Sequence, residues 1–149
     1  MPTLRASSQA RRDMGAHIAP DILKLWNEEG VADYRRIADL WQLSKADLSK
    51  LGNVSISSVR FDVNIPLPVA ERLHELANIA NLVAEFFKGD AHRVGLWFEL
   101  ANPMLGSVSP RTMIRAGRYK RLLSFVMEAR DAEEASTRAK STTGAKGRE

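Results

Sequence analysis

The sequence predicts an all-α fold, a small helical protein with an N-terminal helix-turn-helix and a C-terminal helical domain. Apolar residues recur at spacings of three and four along several stretches, and glycine or proline punctuates the ends of these stretches. No stretch shows the alternation of apolar and polar residues that is typical of a strand. With 149 residues, of which 44% are apolar, the chain can form one domain or two small ones.

Composition excludes several classes of protein. No apolar run approaches the roughly 18 residues that cross a bilayer, and the start, MPTLRASSQARRDMG, lacks the apolar centre of a secretory signal. We therefore expect a cytoplasmic protein without a membrane partner. The absence of cysteine excludes disulfides, thiolate nucleophiles and thiolate metal sites. The net charge of +4 is modest for a nucleic-acid-binding protein.

The N-terminal part divides into an arm and a helical domain. Residues 1–15 are polar and basic without an apolar period, which predicts a disordered arm. The helix-turn-helix domain is predicted over residues 16–63. Its first helix, over residues 19–29, begins at a Pro-Asp pair and ends before a glycine. A second, amphipathic helix ends before Ser44, and its inward face carries Tyr34, Ile37, Leu40 and Trp41.

A short third helix is predicted directly after Ser44. The hydroxyl of Ser44 can cap its first turn, while the carboxylate of Asp47 favours the same end of the helix. Gly52 and Asn53 are residues that stop a helix. Ser55 is then predicted to cap a further short helix over the run SISSVRFD. A helix, a glycine-containing turn and a second helix are the result.

The segment 64–132 contains the longest periodic stretch of the chain. The run VAERLHELANIANLVAEFFK predicts a buried helix of about 20 residues that begins at Pro68. Asp90 is placed to cap the next helix, which Asn102 and Pro103 break. Two successive helices of this kind predict a second helical domain.

The last part of the chain is predicted to hold two more helices and a tail. Ser109 and Pro110 form an N-cap and N1 pair for a short helix that ends at Gly117. The run RYKRLLSFVMEA predicts a final helix to Ala129. Residues 133–149 are small and charged, which predicts a flexible tail.

Residue types that commonly carry catalysis are present but are not arranged for it. His17, His74 and His92 are scattered, whereas zinc needs three or four ligands with suitable spacing. Glu71 and Glu75 stand four residues apart, a spacing that is also usual for a solvated helix face. Neither a glycine-rich phosphate loop nor a nucleophile elbow is present. We therefore expect no metal, no cofactor and no enzymatic activity.

The predicted helix-turn-helix offers residues that can contact DNA. Serines near the start of its second helix can reach phosphates or base edges, and basic side chains can neutralise phosphates. Five basic residues stand against three acidic ones in this region, which is a weak electrostatic footprint. A DNA-binding element and a purely structural hairpin both remain open. The predicted DNA-binding residues are Lys50, Ser55, Ser57, Ser58 and Arg60.

A second basic cluster lies near the C-terminal helices and consists of Arg111, Arg115, Arg118, Lys120 and Arg121. No acidic residue interrupts it. Charge clusters are often solvated faces, but the fixed fork of donors in arginine also suits an acidic or phosphate-bearing partner. Both interpretations remain open at this point.

Two stretches of the sequence resemble the sequences of a known family. The runs PLPVAERLHELANIANLVAEFF and LWFELANPMLGSVSPRTMIRAGRYKRLLSFVMEA, within residues 66–129, resemble the toxin-binding domain of the Xre/MbcA/ParS-type antitoxins of bacterial type II toxin–antitoxin systems. The upstream run IADLWQLSKADLSKLGNVSISSV is similar to the Xre-like helix-turn-helix of that family. The match rests on a helix with Trp97 and on the signature NP-x-LG-x-x-SP at Asn102, Pro103, Leu105, Gly106, Ser109 and Pro110.

The resemblance implies an antitoxin that neutralises a RES-domain toxin, an NAD-consuming or ADP-ribosylating enzyme, by covering its active site. It also implies a homo-oligomer or a hetero-oligomer with the toxin, and binding to operator DNA. The residues expected to bind the toxin, with Arg111 and Arg115 pointing outward, are Trp97, Asn102, Pro103, Leu105, Arg111, Arg115, Arg118 and Tyr119. A regulator that binds DNA without a toxin partner is the main alternative, and an enzyme is a weaker one.

Overall fold

The computed structural model describes residues 19–146, and the side chains of residues 19–140. Over this range the chain is helical without a strand, which confirms the predicted all-α class. The predicted arm, residues 1–15, lies outside the described residues. The α-helices are α1 (Tyr34–Leu40), α2 (Lys45–Gly52), α3 (Leu67–Phe86), α4 (Ala91–Glu99), α5 (Pro110–Arg115) and α6 (Tyr119–Lys146), and two short 3-10 helices span Ile56–Ser58 and Pro103–Leu105.

The long helix α3 forms the centre of the fold. It contacts α1, α2, α4 and α6, and 13 of its 20 residues are buried, because these helices cover it on several sides. The buried residues of the chain form one hydrophobic cluster that extends from Ala19 to Val126. The segments on both sides of residue 64 therefore share a core.

Trp41, the residue directly after α1, links the end of that helix to α3 and α4. Its indole N–H donates a hydrogen bond of 3.0 Å to the carbonyl oxygen of Leu76 in α3. Its ring stacks on that of Phe98 in α4, with centroids 3.8 Å apart. A buried tryptophan with a satisfied N–H holds three helices in fixed positions.

The predicted first helix, residues 19–29, is wrong, because the segment before α1 is an irregular strap across α3. Asn78 and Asn81 of α3 each accept a hydrogen bond from a backbone amide of the strap, at 2.8 and 2.9 Å. The carboxylate of Asp21 accepts two more, from amides four and five residues later. Side chains thus satisfy the backbone groups that a helix would have satisfied internally.

Helices α1 and α2 confirm the second and third predicted helices. The backbone amide of Asp47 donates to the hydroxyl of Ser44, and its carboxylate accepts from the amide of Ser44, at 3.1 and 2.9 Å. This reciprocal pair is the capping box that starts α2. Asn53 ends the helix in the left-handed region, with φ of 53°.

The helix predicted to begin at Ser55 is wrong. Only the single 3-10 turn Ile56–Ser58 forms, and no further helix begins before α3. The hydroxyl of Ser55 makes no capping bond to a backbone amide and lies instead 2.6 Å from the hydroxyl of Ser58. The second helix of the expected helix-turn-helix is therefore absent from this segment.

The C-terminal helices begin where their caps predict. Asp90 accepts hydrogen bonds from two amides at the start of α4, and Ser109 accepts one from the amide of Thr112 in α5. Helix α3 begins at Leu67, one residue before the predicted start at Pro68.

Helix α6 continues to Lys146, beyond its predicted end at Ala129. Alanine, glutamate, arginine and lysine, which favour helices, dominate the extension, and Arg130 pairs with Glu134 one turn later at 3.4 Å. The secondary structure predicted for the tail therefore differs, while the division into domains and the flexibility of residues 133–149 stay predictions.

Candidate protein-interaction surface

The NP-x-LG-x-x-SP signature forms a closed turn between α4 and α5. The side chain of Asn102 accepts a hydrogen bond of 2.9 Å from the amide of Met104. Its backbone amide donates to the carbonyl of Val108, and its carbonyl accepts from the amide of Ser107. Gly106 has φ of +76°, a value that favours glycine. Asn102 therefore organises the whole turn, and the motif has a structural function.

The turn and the end of α4 hold three large apolar side chains in solvent. Leu96 is 42% exposed, Leu100 is 61% exposed and Met104 is 76% exposed. Leu96 and Leu100 lie one helical turn apart, and Met104 follows in the 3-10 helix. We call these three residues the apolar strip. Exposed apolar groups that lie close together mark interaction sites more often than isolated ones do.

Trp97, next to the strip on α4, is half-buried and lines a groove. The groove has a volume of about 300 Å³ and lies between α3, α4 and α6. We call it the aromatic groove, and its walls are Val83, Phe86, Phe87, Trp97, Phe125, Val126 and Ala129. Large rings that remain partly exposed around a concave surface are typical of sites that bind apolar groups.

Sequence reasoning identified Trp97 but missed the three residues of the apolar strip. Two of them, Leu96 and Leu100, lie outside the face of α4 that Val94 and Phe98 bury, and this off-face position is the signal that could have found them. Leu105, which was expected to contact a toxin, is instead buried beneath the turn.

The expectation that Arg111 and Arg115 point outward is wrong for the guanidinium of Arg111. Its side chain is 13% exposed, and its Nε donates a hydrogen bond of 3.1 Å to the carbonyl of Trp41. Arg115, half-exposed, donates from Nη2 to the carbonyl of Gln42 at 3.1 Å and lies 3.7 Å from the carboxylate of Asp47. Both arginines donate to backbone carbonyls in the corner between α1 and α2, directly after the end of α1. The last carbonyls of a helix have no partner within the helix and need donors from elsewhere.

The other residues of the basic cluster are exposed, namely Arg118, Lys120 and Arg121. Tyr119 between them is half-buried, and the guanidinium of Arg72 lies 4.6 Å from its ring centroid. Arg72 also forms a 2.7 Å salt bridge with Glu75. The structure therefore splits the predicted cluster into a largely buried Arg111, a half-exposed Arg115 that bonds to a neighbouring carbonyl, and three exposed basic residues.

Burial shifts the pKa of two groups in this region. Burial raises the pKa of Glu75 above its ordinary value of 4.5, and the positive charge of Arg72 opposes the shift. Burial also raises the pKa of Tyr119, and the negative charge of Glu75 adds to the effect. The phenol of Tyr119 therefore stays protonated at neutral pH.

All five residues predicted to contact DNA are exposed. The hydroxyl of Ser55 lies 3.2 Å from that of Ser57 and 2.6 Å from that of Ser58, so the three serines form one polar cluster. Lys50 lies in the last turn of α2, and Arg60 follows the 3-10 turn. The residues are accessible, but no α-helix carries the serines.

Residues 19–140 contain no group of three or more histidine, aspartate or glutamate side chains that could hold a metal ion. His74 is buried, with Nε2 3.2 Å from the hydroxyl of Tyr34 and its ring stacked on that of Trp26. His92 is exposed at the start of α4, and His17 lies outside the described residues. None of the described helices is both long enough and apolar enough to cross a membrane.

Comparisons with known proteins give one distant structural similarity. No family model and no curated protein matches the chain. The chain is similar to a chain in the crystal structure of the M. tuberculosis MbcT-MbcA toxin-antitoxin complex, with a TM-score of 0.43 and 23% sequence identity. The similarity covers 63% of this chain and 86% of the other.

Proposed function

We propose that the chain is an antitoxin that binds and inhibits a toxin protein through the apolar strip and the adjoining aromatic groove. The observation that carries the proposal is the exposure of Leu96, Leu100 and Met104 on a helix end and a turn that hydrogen bonds hold in place. The resemblance of residues 66–129 to an antitoxin domain indicates that the partner is a toxin.

The strip has the physical properties of a binding surface that needs little rearrangement. Helix α4 fixes Leu96, the hydrogen bond from the amide of Leu100 to the carbonyl of Leu96 fixes the residue after the helix, and Asn102 fixes the backbone at Met104. Little conformational entropy is therefore lost when a partner covers them. Exposed charged groups, Arg93 and Glu99, lie on the same helix. An apolar centre with charged residues at its edge is the usual composition of a specific interface.

The toxin is proposed to be of the RES-domain type, with an NAD-consuming or ADP-ribosylating activity that the antitoxin blocks by covering the active site. This part rests on the sequence resemblance. Inhibition by occlusion needs shape and apolar contact from the antitoxin and no catalytic group.

DNA binding is the second part of the proposal, and the 3-10 turn limits its form. A three-residue turn does not supply a helix that can enter the major groove. We infer that Lys50 and Arg60 contact phosphates and that the serines add hydrogen bonds to the backbone of the DNA. Replacing both basic residues with alanine should flatten the slope of log affinity against log salt by about two, one unit for each contact.

Inhibition of the protein encoded by the adjacent gene tests the antitoxin proposal. We expect the wild-type chain to abolish NAD consumption or ADP-ribosylation by that protein, and Leu100→Asp to weaken binding at least about 30-fold, because a charge would enter an apolar interface. Leu67→Asp is the matched control, since Leu67 is 62% exposed but lies at the start of α3.

Equal inhibition by both variants would remove the apolar strip from the interface. If the wild-type chain neither binds nor inhibits the adjacent protein but binds promoter DNA, the chain is the stand-alone regulator and the antitoxin proposal fails.

A further inference from the structure

Two grooves lie side by side along α6 and share Phe86 as a wall. The first is the aromatic groove. The second, which we call the charged groove, has a volume of about 400 Å³ and lies between the end of α3 and the extension of α6. Besides Phe86, its walls are Glu85, Arg130, Glu133, Glu134, Thr137 and Arg138. Phe86 lies between the two grooves, so they follow one another along α6, and we call the two grooves together the depression.

The length of this depression follows from α6. Eight residues of that helix between positions 125 and 138 line one groove or the other, and at 1.5 Å per residue this segment spans about 20 Å. The depression opens where α3 ends at Phe86 while α6 continues to Lys146. Helix α6 therefore packs against α3 along its first half, and its extension lies beyond the end of α3.

The charge along the depression changes from one end to the other. The aromatic groove has no charged wall, whereas the walls of the charged groove include three carboxylates and two guanidinium groups. The Nε of Arg130 lies 3.6 Å from the carboxylate of Glu85 and 3.4 Å from that of Glu134. One arginine is thus shared by two carboxylates, and the lining has a net charge of −1.

We propose that an amphipathic helix of the partner protein lies in this depression, with apolar side chains in the aromatic groove and a basic side chain near Glu133. The inference rests on the proposed function, because the partner is the toxin. About 20 Å corresponds to a helix of roughly 13 residues, and insertion of an apolar helix face into a groove is a recurrent mode of recognition.

The geometry favours a helix over a small apolar molecule. A small apolar ligand would fill the aromatic groove alone and would gain nothing from the carboxylates beside it. A helix reaches both grooves at once and brings a positive charge to a lining that is net negative. The basic end of the bound helix is expected to lie beside residues 133–138 of α6.

The first experiment fills the aromatic groove. Ala129 is half-buried in its wall, so Ala129→Phe places a ring in the space that the partner needs. The matched control is Ala132→Phe, since Ala132 lies one turn later on α6, is exposed and lines neither groove. With the purified adjacent-gene protein as the probe in calorimetry, we expect Kd to rise at least about 30-fold for Ala129→Phe and less than about threefold for the control.

The second experiment reverses a charge without entering the core, so that it stays informative if Ala129→Phe unfolds. Glu133→Lys should weaken binding about tenfold at low salt, and the loss should shrink as salt rises. Glu128→Lys is the control, because Glu128 is exposed on the same helix and lines neither groove. Circular dichroism confirms that each variant folds.

The outcomes separate this inference from the function on which it rests. If the adjacent-gene protein does not bind the wild-type chain, both proposals fail. If it binds, and Leu100→Asp weakens binding while Ala129→Phe and Glu133→Lys behave like their controls, the antitoxin proposal stands on the apolar strip alone, and both the helix-in-groove inference and the part of the aromatic groove in the interface are overturned. Selective loss for Ala129→Phe alone places an apolar group in the aromatic groove and contradicts the basic end of the helix.

Discussion

The Nε of Arg111 donates a hydrogen bond of 3.1 Å to the backbone carbonyl of Trp41, a residue 70 positions earlier in the chain. This contact joins α5 to the corner between α1 and α2. Arg111→Ala should lower the free energy of unfolding by about 2 to 3 kcal/mol, because a carbonyl beside the core loses a charged donor. Urea unfolding at neutral pH measures the change.

Arg118→Ala is the control for this prediction, since Arg118 is exposed in the same basic cluster. Its expected effect is within about 0.5 kcal/mol. Equal effects of the two substitutions would contradict the structural role of Arg111. A charge reversal at Arg111 would also disturb the fold, so the exposed residues are the better probes of partner binding.

Two glycines should respond to alanine in opposite directions. A Cβ on Gly52, at the end of α2, would lie 2.7 Å from Cγ2 of Val69 and 3.2 Å from its backbone nitrogen. Gly52→Ala should therefore destabilise the fold by about 1 to 3 kcal/mol through overpacking. A Cβ on Gly95, inside α4, would meet no atom within 4 Å, so Gly95→Ala should stabilise the helix by up to about 1 kcal/mol.

Thermal unfolding of the two glycine variants is a direct comparison, because the chemical change is identical. A rise in Tm for Gly95→Ala and a fall for Gly52→Ala are expected. An unchanged Tm for Gly52→Ala would mean that α2 and α3 do not approach as closely as the 2.7 Å distance requires, and a fall for Gly95→Ala would contradict the open space beside Gly95.

Two serines at the N-cap positions of helical elements should differ in their contribution. Ser44 caps α2 through a reciprocal pair with Asp47, so Ser44→Ala should cost about 1 kcal/mol of unfolding free energy. Ser55 precedes the 3-10 turn but makes no capping bond to the backbone, so Ser55→Ala should change it by less than about 0.5 kcal/mol. Chemical denaturation of both variants would reject the assignment if Ser55→Ala were the more costly.

Glu75 should make stability fall as pH rises above its ordinary pKa. Burial raises the pKa of Glu75 in the folded chain, so between 4.5 and the raised value the folded chain holds more protons than the unfolded chain. The free energy of unfolding therefore decreases as pH rises through that window. Glu75→Gln cannot titrate, so we expect the variant to gain stability relative to wild type between pH 4 and pH 7.

Denaturant unfolding at several pH values measures this difference. The other titrating groups contribute to both chains, so subtraction isolates Glu75. Glu75→Gln also removes the negative charge that pairs with Arg72. Where Glu75 is fully ionised, this loss changes the difference in unfolding free energy between the two chains by a constant. A difference that does not change between pH 4 and pH 7 would contradict the role of burial.

Local chemistry explains why the helix starts could be predicted. Ser44, Asp90 and Ser109 each carry a side chain that accepts hydrogen bonds from amides two or three residues later. Such contacts depend only on neighbouring residues, so they are visible in the sequence. Ser55 is also a residue type that caps helices, but it makes no cap here, because its hydroxyl bonds to other serines instead of to the backbone.

The site was less predictable than the helices. Trp97 belongs to a motif, so sequence comparison identified it. Leu96 and Leu100 lie off the apolar face of α4, which the sequence pattern could have indicated, whereas the exposure of Met104 became visible only in the structure. Arg111 and Arg115 are residue types typical of a binding surface, yet both donate to backbone carbonyls about 70 positions earlier in the chain, and Arg111 is largely buried as a result.

The sequence by itself determined the all-α class, the central helix, the caps and the signature turn, because these depend on apolar periodicity and on hydrogen bonds between near neighbours. Tertiary structure decided the rest. The strap before α1 does not form the helix that its apolar spacing predicts, because the buried side chains of Asn78 and Asn81 on α3 accept hydrogen bonds from its backbone. The aromatic groove likewise exists only where α3, α4 and α6 meet, because exposure depends on which faces other helices cover.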